Sequence, residues 1–222
     1  MGVKFMKKGK EAQKEIEKQD ALAAQKSSDT VFRFWLPVGG ETAITFLDGD
    51  LDEDGLLDVG MYYEHQVYMN GDWRNWFVCT ADEEPCPICE GGDKPSLVGA
   101  FTVIDHSEYE SKGKHYKDQV RLFVAKRDTV KKLQKIATKR GGLAGCRFDV
   151  SRTGDKSPNV GDMFDFTDKR PLSEVLEQYN VDGPLDYEKH IIYRPAADLR
   201  KLGFGTVPVG AESNIPNYED EL

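Results

Sequence analysis

The chain has 222 residues, 39% of them apolar, four cysteines, four histidines and a formal net charge of −9. That length holds one sizeable core or a core with extensions, no apolar run approaches the roughly 20 residues of a membrane-spanning helix, and so few cysteines exclude a secreted disulfide scaffold. The charge is unevenly spread: Lys112 to Arg152 carries 13 Lys/Arg against three Asp, a net of +10, which leaves −19 for the rest and is the pattern of a polyanion-binding surface on an acidic body.

Residues 1–29 read as a polar arm, with Lys4, Lys7, Lys8 and Lys10 at its start. No apolar stretch follows these lysines, so they are not read as a secretory signal. Together with reduced thiols this makes a cytoplasmic location the expectation. From Glu11 to Gln25 the apolar face (Ile16, Leu22, Ala23) is thin, and a lone helix of that length is marginal. The arm is expected to order only against a partner.

Residues 30–205 read as the core. Val31–Leu36 alternates, with Phe32, Phe34 and Leu36 on one side and Arg33 and Trp35 on the other. Thr42–Leu47 follows after Pro37 and Gly39-Gly40. Met61–Met69 and Trp73–Cys79 flank Asn70-Gly71, a hairpin signal. Leu97–Asp105 and Tyr116–Ala125 are the longest predicted strands. The spacing predicts a helix over about Asp128–Lys139, with Val130, Leu133 and Ile136 inward and Lys131, Lys135 and Lys139 outward, ended by Gly141-Gly142. Cys146–Arg152 and Met163–Phe166 are further strands; Leu172–Tyr179 and Ala196–Leu202 are short helical pieces. Residues 206–222 form an acidic, flexible tail ending Glu219-Asp220-Glu221-Leu222. Short strands with one intervening helix make the fold class mainly β: an OB-type five-stranded barrel with a zinc-bound hairpin subdomain at about 61–95 and a few short helices.

His65, Cys79, Cys86 and Cys89 fall within 25 positions. Three thiolates and one imidazole make a closed Cys3His set of the kind structural Zn²⁺ prefers. The site constrains the hairpin. A two-residue loop pairs residue 65 with 76 and turns Cys79 away. A three-residue loop, 70 to 72, pairs 65 with 77 and brings Cys79 to the histidine's face, so a zinc site predicts an odd-length loop with a Gly71 bulge, or else a Cys79 beyond the regular ladder. Cys146 sits inside a strand pattern and reads as a small core residue.

Lys117, Gln119, Arg121 and Phe123 alternate with Val120, Leu122 and Val124, which gives one basic and aromatic strand face. Cations for phosphate and rings for base stacking are what an unpaired nucleic-acid strand needs. Arg33 with Trp35, and Arg74 with Trp76, repeat the pairing. Lys112, Lys114 and Tyr116 form a loop that can clamp a backbone, and Lys126, Arg127, Arg147 and Arg152 extend the positive wall. The acidic run Asp50–Asp58 resembles the start of a Ca²⁺ loop, but its twelfth position is Met61 rather than Glu. The same carboxylates are the only candidates for a two-metal nuclease. No phosphate-binding loop, nucleophile elbow or zincin motif is present.

The stretch His65-Gln-Val-Tyr-Met-Asn-Gly-Asp-Trp73, then Cys79, then Cys86-Pro-Ile-Cys89, resembles the zinc subdomain of the helix-destabilising, single-stranded DNA-binding proteins of T-even and related tailed phages. Ala43-Ile-Thr-Phe46-Leu47 and Lys112-Gly-Lys114 with Arg121 are also similar, as are the basic beginning and acidic end; the resemblance covers roughly residues 30–135. It implies an OB-fold, structural zinc, and cooperative, sequence-independent binding of single strands in replication, recombination and repair. It also implies self-association along DNA through the N-terminal arm, and recruitment of replication proteins by the acidic tail. The competing expectations are a metal-dependent nuclease and a zinc-ribbon protein adaptor.

Overall fold

A computed structural model of the chain describes residues 9–11, 13–14, 31–69, 71–111 and 113–205. The expectations for the tail, most of the arm, Asn70 and Lys112 lie outside the described residues.

The spine is β4 (Ser96–Asp105), whose sequence SLVGAFTVID is buried almost throughout. Near-continuous apolar character marks a strand covered on both faces. Along one edge it pairs with all of β7 (Gln119–Lys126). Along the other edge β2 (Gly60–Gln66) takes its first half and β1 (Glu41–Phe46) its second. β3 (Trp76–Val78) extends the sheet beyond β2, while β8 (Cys146–Ser151) and β9 (Met163–Lys169) extend it beyond β1. A two-stranded ribbon, β5 (Tyr109–Ser111) and β6 (Lys114–Tyr116), projects between β4 and β7.

The helix predicted at Asp128–Lys139 is α2 (Arg127–Arg140), after the short α1 (Pro87–Glu90). Val130, Leu133 and Ala137 recur at helical spacing on its buried side. Gly141 ends it at φ 68, a left-handed conformation glycine adopts without steric cost. Beneath α2, Phe46 meets Phe101, Phe123 and Phe148 at ring distances of 5.7, 5.3 and 5.7 Å. Cys146 is fully buried in this core, as its strand pattern predicts.

The C-terminal third straps the sheet. α3 (Leu172–Tyr179) covers Leu47 and Ile104 with Val175. Just before and within α4 (Tyr187–His190), Leu185 N–H donates to Thr102 Oγ1 at 2.9 Å and the Tyr187 hydroxyl donates to Asp48. Burial pushes the Asp48 carboxyl up to about 6, against the opposing hydrogen bonds from Tyr187 and Thr102. α5 (Ala196–Lys201) closes the order. Among the described residues, no helix is long and apolar enough to cross a membrane.

Three expectations need correction. Among the described residues the main sheet has seven strands rather than five, and no sheet closes on itself. The strand predicted over Tyr116–Ala125 breaks at Asp118, whose φ is 51 and whose carboxylate holds His106 Nδ1 at 2.5 Å. Residues 31–36 make one parallel bridge, Arg33 to Leu122, rather than a full strand. Phe34 N–H donates to Leu122 O at 2.8 Å there, and Leu36 N–H to Asn159 O at 2.7 Å.

Candidate metal centre and adjoining cleft

The hairpin register is the one the metal set requires. His65 lies opposite Phe77, and Cys79 N–H donates to Tyr63 O at 2.8 Å. The tip itself is a tight turn, with Met69 bridged to Asp72 and Gly71 at φ 80. The register shifts lower down. Val67 N–H donates to Asn75 O, so Trp73 and Arg74 stand opposite the single residue Tyr68. The Asn75 side-chain amide secures the extra residue by donating to Met69 O and Asp72 O at 3.0 and 2.7 Å.

Beyond β3 the chain turns at Thr80 and enters α1 through Cys86-Pro87. Proline suits a first helical position because its missing N–H has no intrahelical partner to lose. The turn delivers both thiols to one point. Cys86 Sγ and Cys89 Sγ each lie 3.5 Å from His65 Nε2, and Cys79 Sγ lies 3.6 Å from Cys89 Sγ. All four donor atoms fall within 4.8 Å of one another. Bonds of about 2.3 Å to sulfur and about 2.0–2.1 Å to nitrogen give tetrahedral edges of about 3.5–3.8 Å. The three short distances fit that figure, and the cysteines are free thiols.

The environment is built for a cation. His65 is fully buried, and its Nδ1 meets Asp93 Oδ2 at 2.6 Å, which leaves Nε2 aimed at the sulfurs. Burial pushes the Cys89 thiol up to about 12 and raises that of Cys79. At Cys86 burial is outweighed by backbone N–H groups of Cys89, Thr80 and Ile88, which bring it down to about 6. Deprotonating these buried thiols together calls for a compensating cation, so the set could hold a metal ion.

The other face of the same hairpin lines a cleft. Strand alternation puts Glu64, Gln66 and Trp76 opposite the metal side. They face Arg33, Trp35, Val124, Lys126 and Asn159. The Arg33 guanidinium sits 4.3 Å over the Trp76 ring and forks onto Glu64 at 2.9 and 2.5 Å. Tyr62 donates to the same carboxylate at 3.0 Å. Burial first, then the Glu64 charge, raises the Tyr62 pKa.

The fourteen residues named for nucleic-acid contact therefore divide. Trp35 is 48% exposed at the cleft mouth, with Lys126 exposed beside it. Arg33 is in the cleft, but its charge is already met by Glu64, so it props Trp76 rather than offering a free cation. A second cluster lies on the opposite side of the 31–36 edge. Arg121 donates to Tyr109 Oη at 2.8 Å and sits 5.6 Å over Phe32, while Tyr109 stacks on Tyr116 at 5.1 Å. Lys114, Lys117 and Arg127 are exposed, and Arg74 at the hairpin tip is paired with Asp72 at 2.7 Å.

Two of the named residues are not available to a ligand. Phe123 is fully buried in the aromatic core, because the outward face expected for this strand is covered by Phe34 and Phe46. Arg152 is 7% exposed and donates to Leu36 O and Asp155 O. Arg147 lies half-buried in the β1–β8–β9 ladder, with its Nε covered. The Asp50–Asp58 carboxylates do not converge: Asp52 accepts its own loop's amides, and His65 with the three cysteines is the one metal-type set among the described residues.

Asp93, Tyr62 and Glu64 escaped the sequence reading. An acid four positions after Cys89, past Gly91-Gly92, was a readable signal; the strand parity of Tyr62 and Glu64 was another. Neither a protein-family model nor a curated protein sequence matches this chain. Fold and site thus define a mainly β protein with a Cys3His centre that can hold a metal ion, backed by an aromatic cleft.

Proposed function

We propose that the protein binds single-stranded DNA without catalysis and with little regard to sequence. The sheet then serves as an OB-type platform, and Zn²⁺ occupies the Cys3His centre as a structural ion. The observation that carries this reading is the 31–36 edge. It presents Trp35 to the cleft on one side and Phe32, 63% exposed, to the Arg121–Tyr109–Tyr116 cluster on the other. A single strand laid across that edge meets stackable rings on both sides and the exposed Lys114, Lys117 and Lys126 along its phosphates. A duplex, with its bases already stacked, has no use for these rings.

The phage-type role in replication, recombination and repair, self-association through the N-terminal arm and recruitment by the acidic tail belong to the same proposal. They rest on the sequence resemblance. Titration of fluorescent single-stranded and duplex oligonucleotides at several salt concentrations tests it. Single strands should bind at least tenfold more tightly, with a steep negative log–log salt slope from released counterions. Equal affinity for the two forms would overturn the reading. Retention of neither form would favour a zinc-ribbon adaptor, and cutting of the strand with Mg²⁺ or Mn²⁺ a nuclease.

A further inference from the structure

The metal centre is roofed by a segment that supplies none of its ligands. Leu199 of α5 is fully buried against Phe77, Cys79, Cys86 and Ile88. Phe204, three residues beyond α5, meets the Phe77 ring at 5.1 Å and packs against the same buried cluster. The anchors of this segment grip the ligand loop on both sides of Cys86-Pro-Ile-Cys89. Before it, Ala196 N–H donates to Glu84 Oε1 at 2.7 Å. After it, Arg200 forks onto Glu90 at 2.8 and 3.2 Å. Gly205, at φ 77, passes so close that a Cβ there would stand 3.1 Å from Pro87 Cβ.

We propose that residues 195–205 form a clasp over the metal centre, and that clasp and metal ion dock as one cooperative unit. The inference rests on the metal reading above and adds the element that controls how long the ion stays. Two physical arguments carry it. Exchange of a thiolate-bound metal requires water or a competing ligand to reach sulfur, and Cys79 and Cys86 are only 7% and 2% exposed under this cover. In the other direction, a six-residue helix has no stability of its own. Its platform is the loop 80–90, in which Pro87 and Ile88 are the buried apolar residues besides the ligands. When the metal leaves, the loop loses the bonds that order it, and Leu199 loses its seat. Coupling of this kind is reciprocal. Anything that loosens the clasp weakens metal retention, and metal loss frees the clasp.

Two measurements on the full-length, zinc-loaded protein test this. The first follows zinc release to an excess of a coloured chelator. Leu199→Ala and Phe204→Ala should release zinc about tenfold faster than the parent, within the usual range of coupling between sites. Arg200→Ala, which cuts an exposed pair and leaves the buried packing intact, should do so by about two- to threefold. The second compares amide hydrogen exchange of residues 196–204 in the unmutated protein before and after zinc is stripped. Their protection should fall at least tenfold while that of β4 is unchanged. The hydrogen-exchange measurement needs no variant, so misfolding of Leu199→Ala cannot obscure the answer. One bound zinc with release rates within twofold of the parent, or clasp protection that survives stripping, overturns the clasp alone. A parent protein that binds no zinc overturns the clasp and the metal reading together.

Discussion

The aromatic core and the metal knuckle hold themselves together by different means. The core under α2 gathers Phe34, Phe46, Phe101, Phe123 and Phe148 with a dozen other buried residues, and its β4 spine is paired along both edges. The knuckle has Phe77, Ile88 and Leu199 around two cysteines, with β3 only three residues long. Each fully buried large apolar side chain contributes about 1.5–3 kcal/mol, so the first region is self-sufficient and the second is not. The weak region nevertheless carries Trp76 and Glu64 into the cleft. On the proposed reading, a metal ion in the Cys3His centre lets so few apolar residues position them.

The largest effect should come from the core. Phe46→Ala leaves a cavity touching three other rings and should cost about 3–5 kcal/mol in denaturant unfolding, with or without metal. Cys86→Ser, or chelation, should instead leave the main sheet folded. Hydrogen exchange should then show loss of protection confined to β3, residues 79–95 and α5. Global unfolding on chelation would mean that the two regions are not separable.

Trp35→Ala should separate function from stability. The ring is half exposed, so the midpoint of unfolding should scarcely move, while single-strand affinity should fall by about 1–3 kcal/mol.

One pH response should come from Asp48, buried beside Thr102 and Tyr187. The Asp48 carboxyl sits at about 6 in the fold against an ordinary 3.8. The native state therefore holds a proton that the unfolded chain has already released. The contribution is fully present below about pH 4, fades as pH rises through 6, and is gone above it. Between these limits the protein should lose about 1–3 kcal/mol from this group, and Asp48→Asn should flatten that part of the pH–stability curve. The smallest effect belongs to the hairpin tip. Arg74→Ala removes a fully exposed pair with Asp72 and should change single-strand affinity less than threefold.

What could be read in advance followed from local rules. The α2 boundaries follow from the helical spacing of Val130, Leu133 and Ile136 before two glycines, although Ala137 rather than Ile136 is the fully buried residue. The ligand set is visible because thiols and imidazole at that spacing have few other uses; the pairing of residue 65 with 77 is adopted too, but through a two-residue turn and an extra residue at Trp73 and Arg74 rather than a three-residue loop. The misassignments are tertiary. Phe123 and Leu122 are adjacent and both buried, because the sheet is covered on both faces at that point, and alternation says nothing about which faces are covered. Arg33 looks like a free cation until Glu64, 31 residues away, is brought beside it. The clasp was invisible because Leu199 lies 110 positions beyond Cys89, and no local pattern ties a short helix to a distant thiolate.

The most direct measurement is the affinity of one short oligo(dT) for the full-length protein, compared between the zinc-loaded and zinc-stripped forms under conditions where β4 remains protected from exchange. Tight binding when loaded, weakened at least tenfold but not abolished when stripped, is the expected result, because the metal orders the hairpin that places Trp76 while Trp35 and the Tyr109–Tyr116 cluster stand on the self-sufficient sheet. Equal affinity in the two forms would contradict the claim that the bound ion shapes the DNA-binding surface.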